Sequence, residues 1–554
     1  MSERPNFDLR TEPWILARFP DGAVRELSLK EVFSQAHEIR DLVGEVPTQV
    51  FAITRLLLAI LLRSLPEIER PVDDWAELWN METLPTEWIF EYLEDERWAD
   101  RFDLLHPEKP FYQVAGLHTA KGETSSLERL IADVPNGEPF FTTRRGPGME
   151  SLSFAEAARW LIHAQAYDPS GIKSGSTDDD RVKRGKGYPI GTGWSGELGG
   201  ILNEGVVLKE TLLLNLVLGE TADKPFASDD MPLWERPLQT GAVESGNSAE
   251  LRIPTGQADL LTWQSRRIRL AHDDKRVSSV LVANGDQLRP QNRHAVEMMT
   301  GWRRSQAQEK KLGEPLVFMP RGHDPERSFW RGLSALIPQD TREKMVAGGS
   351  ASLPAGSIHW LWTIRNHGIL SPDLIVRAHA FGISYGTQSS TIDEIIDDVL
   401  DIHLVLLAEE GRALATAAED MISATEDAIF ALAQLAGNLE LASGGQPDGA
   451  RERARERAYF EIDPEFRRWL GTLHASAVID EAKTAWVGVV EKIILRLGEA
   501  LVKEAGAAAW LGRERSIGGH VSSSEAREWF RRSLHKAFST QGAEENESPK
   551  EEVR

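Results

Sequence analysis

GRALATAAEDMISATEDAIFALAQLAG, Gly411 to Gly437, reads as one long helix: small and apolar residues recur at helical spacing, and no proline or glycine interrupts it between its ends. A helix this rich in alanine needs partners to bury its apolar positions. Three neighbouring stretches have the same long helical character: TIDEIIDDVLDIHLVLLAEE (391–410), PEFRRWLGTLHASAVIDEAKTAWVGVVEKIILRLGEAL (464–501) and SSEAREWFRRSLHKAF (523–538). Together they predict a C-terminal four-helix bundle over 391–540. Gly444, Gly445, Pro447 and Gly449 mark a connection inside it, and the tail 541–554, ending EENESPKEEVR, is expected to be disordered.

Upstream the pattern is mixed. PWILARF, PDG and AVRELS read as strand, turn and strand, followed by a helix over Leu29–Ile39. PTQVFAITRLLLAILLRSL is apolar on every side and opens with proline, as a buried core helix does. Residues 112–200 are rich in loops, with one clear helix at Phe154–Ala166. Strands return at RRIRLAH, RVSSVLVAN, EPLVFM and DLIVRAHAFGIS, without a regular βαβ repeat. The fold class is therefore α+β: a large irregular mixed domain over 1–390, then the bundle.

Composition narrows the function classes. The 554 residues contain no cysteine, which removes disulfides, thiolate catalysis and cysteine-ligated metals. Met1 to Leu16 carries five charges and no continuous apolar region, so no signal peptide is expected. The longest apolar run, Val50–Leu62, contains Arg55 and is too short for a bilayer, so a cytoplasmic protein without membrane contact is predicted. A net charge of −23 argues against non-specific nucleic-acid binding by the whole surface; any such contact must be local. Charge also divides the bundle. Residues 391–427 hold eleven acids and one arginine, whereas the last helix offers Arg527, Arg531, Arg532 and Lys536 around Trp529 and Phe530.

The most unusual local composition is YDPSGIKSGSTDDDRVKRGKGYPIGTGW, Tyr167–Trp194, with six glycines and five basic residues in 28 positions. Gly191, Gly193 and Gly196 satisfy G-x-G-x-x-G but follow RVKRGKGYPI, which is not a buried strand. Gly185-Lys186 lacks the hydroxyl and the upstream glycine of a phosphate-binding P-loop. GIKSG and GWSGE miss the nucleophile elbow, and His272-Asp273 and His323-Asp324 lack further metal ligands. No carboxylate pair or nucleophile–base spacing stands out, so neither catalytic residue, metal nor cofactor is predicted. A glycine-rich basic loop without a P-loop lysine can still hold a sugar–phosphate backbone through its N–H groups. The residues leave open a nucleic acid, a small phosphate ligand of an enzyme using the 168–196 loop, or a plain surface loop.

FDLRTEPWILARFPDGAVRELSLKEVF, PTQVFAITRLLLAILL, YDPSGIKSG with KGYPIGTGW, EGVVLKETLLLNLV and FGISYGTQSSTIDEI, in that order, resemble the CasA family. CasA proteins are large subunits of the type I-E CRISPR surveillance complex, Cascade. The resemblance implies a non-enzymatic subunit that recognises the protospacer-adjacent motif (PAM) on duplex DNA, helps unwind the target and positions a recruited helicase-nuclease. It implies the other Cascade subunits, crRNA and target duplex as partners; the alternative within that setting is a pure scaffold subunit.

By the same resemblance, the PAM-facing glycine loop is Asp168, Pro169, Ser170, Gly171, Ile172, Lys173, Ser174 and Gly175. A second loop near the crRNA, FFTTRRGPGMES, offers Phe140, Phe141, Arg144 and Arg145, the arginines as phosphate contacts. The strand-separating wedge falls at Gln388, Ser389 and Ser390. Lys275 and Arg276 are candidates for a lysine that some members send into the minor groove.

Overall fold

The computed structural model describes residues 5–134, 142, 144, 150–219, 229–243, 251–337, 352–514 and 519–539. The chain divides into two compact units. The first comprises Met1–Phe329, Pro338–Leu370 and Val376–Leu400; the second comprises Trp330–Ile337, Ser371–Ile375 and Asp401–Arg554.

The first unit opens with the expected hairpin, Ile15–Arg18 paired with Val24–Leu27, and Asp41–Leu42 adds a third strand. Ser28 and Glu31 cap the following helix reciprocally, but it spans only Leu29–Ser34 rather than running to Ile39. The chain is drawn away because Arg40 N–H bonds to the Arg18 carbonyl at 2.8 Å, returning it to the sheet.

Pro47–Ser64 forms the core helix, with apolar residues buried around its circumference. It is the one helix among the described residues long and apolar enough to cross a membrane, and 78% of it is buried within the protein. Its Arg55 is fully neutralised: two bonds of 2.8 and 2.9 Å run to Glu297, which also accepts Trp194 Nε1 at 2.7 Å. Against this helix packs Phe154–Tyr167, capped by the Ser153 hydroxyl.

Two further β structures position the site. Arg266–His272 and Val277–Asn284 make a long antiparallel hairpin. A second sheet has the order Ile392–His403, Ile375–Tyr385, Gly200–Glu204. The expected helix over 391–410 is thus corrected to a strand followed by a short 3-10 turn at Leu404–Leu407. Ile392, Ile395, Ile396, Val399 and Leu400 mimic helical spacing, yet four of the five are β-branched and favour extended backbone once a partner strand is present.

Among the described residues, four long helices dominate the second unit: Arg412–Ser443, Pro447–Leu470, Ile479–Glu504 and Ser523–Ser539. The first packs against each of the other three, its alanines allowing close approach. Its last turn closes at Gly444 and Gly445, whose N–H groups bond to Leu441 and Glu440 carbonyls. The expected 464–501 segment straddles two helices, with Gly471 ending the first. Trp469 stacks on Trp486 at 5.2 Å, and Trp486 Nε1 donates to Thr425 Oγ1 at 3.0 Å, tying three helices together. Residues 540–554 lie outside the described residues.

Candidate nucleic-acid interface

The glycine loop begins where the Phe154–Tyr167 helix stops. Asp168 caps it, its N–H bonded to the Ala164 carbonyl at 3.0 Å, and the Asp168 carboxylate turns inward. There it meets Lys173 Nζ at 2.6 Å and Arg266 Nε at 2.5 Å, with all three side chains buried. Arg266 also donates to the carbonyls of Asp168, Pro169 and Gly191 at 3.2, 3.1 and 2.8 Å. Burial alone would raise the Asp168 carboxyl, but the two cations outweigh it and hold it below the usual carboxylate range. Lys173 is therefore an internal staple of the loop in this structure, while the tip, Gly171-Ile172, faces outward with Ile172 49% exposed.

Gly171 has φ +125, which L side chains rarely adopt, so the tip's path depends on glycine. Pro169 is half-buried, Ser170 is buried, and Ser174 pairs with Lys186 in a short antiparallel ladder that also joins Lys173 to Gly187. Gly175 is buried below it, its N–H bonded to the Gly185 carbonyl at 3.1 Å. The G-x-G-x-x-G pattern has a packing explanation: a Cβ on Gly193 would lie 2.4 Å from the Ala166 carbonyl, where the chain presses on the helix end.

Gln388, Ser389 and Ser390, the expected wedge, lie in the turn between Ile375–Tyr385 and Ile392–His403. Gln388 and Ser389 both have positive φ, 55° and 54°, so the tip holds two consecutive residues in the left-handed region. Such backbone costs on the order of 1 kcal/mol per residue and is kept only where surroundings enforce it. Here Ser389 N–H bonds to the Gly386 carbonyl at 2.8 Å, Gly386 N–H to the Thr391 carbonyl at 3.0 Å, and Ser390 Oγ to the Thr387 carbonyl at 2.8 Å. Gln388 is left exposed.

These two distant segments meet. Ser170 N–H donates to the Ser389 carbonyl at 2.8 Å, and a Cβ at Gly171 would stand 4.0 Å from Ser390 Cβ. Below the tip, Tyr385 OH donates to the Tyr167 carbonyl at 2.7 Å, at the start of the glycine loop. Farther down the same sheet, His379 bridges Glu204 at 2.7 Å and Asp397 at 2.5 Å, locking the three strands together. Burial opposes its charge, but the two carboxylates prevail and raise the imidazole to about 9.

The remaining predicted residues fall elsewhere. Arg144 is bound by Asp133 at 3.3 Å and by Glu156, and lies over the Trp160 ring, so its charge is already paired. Phe140, Phe141 and Arg145 lie outside the described residues. Lys275 and Arg276 occupy the exposed turn of the long hairpin, their N–H groups held by Asp273. That turn lies at the opposite end of the strand from Arg266, about 20 Å at roughly 3.3 Å per residue, so the structure does not gather it with the glycine loop.

Arg266 is the residue that sequence reasoning missed. The one available signal was the pair Arg266-Arg267 opening a strand whose other positions are largely apolar; both side chains are 1% exposed. Arg267 has its own buried partner, Asp286, at 2.7 Å.

Comparison with known proteins agrees with this architecture. The family described as CRISPR-associated protein Cse1 matches residues 8–497. The crystal structure of Thermobifida fusca Cse1 superposes with a TM-score of 0.88 at 47% identity, covering 96% of this chain and 98% of that one. CasA/Cse1 of Thermus thermophilus is 31% identical over 350 residues, 61% of this chain; the match spans 62% of that relative's length. A chain of a CRISPR RNA-guided surveillance complex shares the fold, with a TM-score of 0.62 at 20% identity over 90% of this chain and 99% of that one.

Proposed function

The chain belongs to the CRISPR-associated Cse1 family, and from that premise we propose that it is the large, non-catalytic subunit of an RNA-guided surveillance complex. In this reading it recognises the PAM on duplex DNA through the glycine loop, opens the adjoining base pairs with the Gln388–Ser390 tip, and positions the recruited helicase-nuclease. Its partners are the other Cascade subunits, crRNA and the target duplex.

The observation that carries the reading is the hydrogen bond between Ser170 N–H and the Ser389 carbonyl. A minor groove presents nearly the same acceptors for both A·T orientations, so a narrow glycine tip reads it loosely and tolerates related motifs. A wedge coupled to that reader acts only where the reader has docked. Exchange of a DNA duplex for an RNA–DNA heteroduplex is close to balanced, so holding the first pairs open by a few kcal/mol is enough to start it. Within residues 168–175, Lys173 is buried against Asp168 rather than turned toward a ligand, so this part of the loop presents backbone rather than a cation.

Replacing Gly171 by valine tests the proposal. The substitution forces a side chain onto φ +125 and moves the tip while leaving the buried Asp168 network in place. Assembly with the other subunits should survive, and affinity for PAM-containing duplex should fall at least tenfold toward the PAM-free value. Unchanged PAM dependence would defeat the assignment.

A further inference from the structure

Gly175 and Ser174 lead from the glycine loop into a second, smaller hairpin whose apex is Lys183-Arg184-Gly185-Lys186. Lys183 and Lys186 exchange two backbone hydrogen bonds of 3.1 Å, so the apex is a two-residue turn, with Arg184 at φ 54 and Gly185 at φ 73. Both positive values belong to the type I′ turn, which most often carries Asn-Gly. An arginine there holds its charge at the point of the hairpin.

Of the four cations in this segment, Arg181 is committed to the base. It pairs with Asp179 at 2.9 Å and donates to the Gly285 carbonyl at 2.9 Å. Lys183, Arg184 and Lys186 are exposed and form no ion pair among the described residues. Asp178 and Asp180 are the exposed acids of the same segment, next to the anchored Arg181 rather than at the apex. The base is further fixed where Asn284 Nδ2 donates to the Tyr188 carbonyl at 2.6 Å. In a protein of net charge −23, three unpaired cations are thus gathered on one anchored turn, joined by a strand ladder to the glycine loop.

We infer that this apex is a sequence-independent phosphate clamp for the backbone of the same DNA duplex whose PAM the glycine loop reads. The inference rests on that face being DNA-facing, but its role differs: the loop supplies discrimination and the hairpin supplies affinity. Three cations on a tight turn suit successive phosphates of one strand, and counterion release makes each contact visible as salt dependence.

The assembled complex carrying Lys183→Gln, Arg184→Gln and Lys186→Gln tests it, with binding measured at several salt concentrations on duplexes with and without the PAM. Each lost phosphate contact should reduce the log–log slope by about 0.9, so wild type should weaken roughly 40-fold more than the variant between 50 and 200 mM salt. The ratio of PAM to non-PAM affinity should stay unchanged. Arg184→Asn guards against misfolding, since it creates the preferred Asn-Gly turn; thermal stability should hold while the slope falls by about one unit. An unchanged slope in either variant overturns the clamp, as does loss of subunit assembly in the triple variant, which would make the hairpin a protein contact. Because the slope is also read on PAM-free duplex, failure of PAM reading at Gly171 and failure of the clamp are separable.

Discussion

Asp168 takes its position from Lys173 and Arg266, and the loop in turn takes its path from Asp168. Removing one member of a buried charge group leaves the others uncompensated and costs about 3–5 kcal/mol. Asp168→Asn should therefore raise hydrogen exchange across residues 168–175 by more than a hundredfold, with little change in the helices of the second unit. The lowered Asp168 carboxyl keeps its contribution at full strength above about pH 4, and loses it as pH falls through the depressed value. The loss of stability linked to His163 begins earlier on acidification. It is buried, bonded to Thr48 Oγ1 at 2.9 Å, and burial pushes its imidazole down to about 3. The unfolded chain binds that proton near pH 6.5 and the folded chain does not, so stability should fall between pH 6.5 and 3, by roughly 5 kcal/mol at most. Urea midpoints across this range should show the loss, and His163→Gln should flatten the slope. None of this was legible beforehand: Lys173 in a glycine-rich loop reads as a solvated phosphate contact, and only the long-range approach of Arg266 turns it inward.

The hairpin that carries Gln388 obeys the opposite sign. His379 is charged in the fold to about pH 9 but only to about 6.5 when unfolded, so its stabilisation is complete below 6.5 and is lost as pH rises toward 9. Glu204 and Asp397 then face each other across a neutral ring. Exchange at the amides of Ile392–His403 should accelerate between pH 7 and 9 beyond its intrinsic base catalysis, and no such excess should appear in the Arg412–Ser443 helix. This strand is also where the sequence was most misleading. Gly411–Gly437 could be read as helix because no extended alternative competes in an alanine-rich segment. Ile392–Leu400 carried both helical spacing and β-branched side chains, and the pairing with Ile375–Tyr385 settled which one prevailed. The core helix at Pro47–Ser64, the hairpin at Ile15–Leu27 and the helix ending at Tyr167 were legible, since each has a local signal at its boundary.

For the whole molecule, the proposed DNA binding is compatible with strong acidity because it asks for only a few cations, fixed in place. Arg144, Arg181 and Arg266 are all held in internal ion pairs, and Lys183, Arg184 and Lys186 gather exposed positive charge on one small turn joined to the glycine loop. In the proposed function the glycine loop and the Gln388–Ser390 tip act as one unit on adjoining parts of a duplex. A photo-crosslinking residue placed separately at Ile172 and at Gln388, in the assembled complex on PAM-containing duplex, tests it most directly. Crosslinks from Ile172 to PAM nucleotides and from Gln388 to the first base pair beyond them are the predicted result. Labelling of neither, or equal labelling on duplex lacking the PAM, would contradict it.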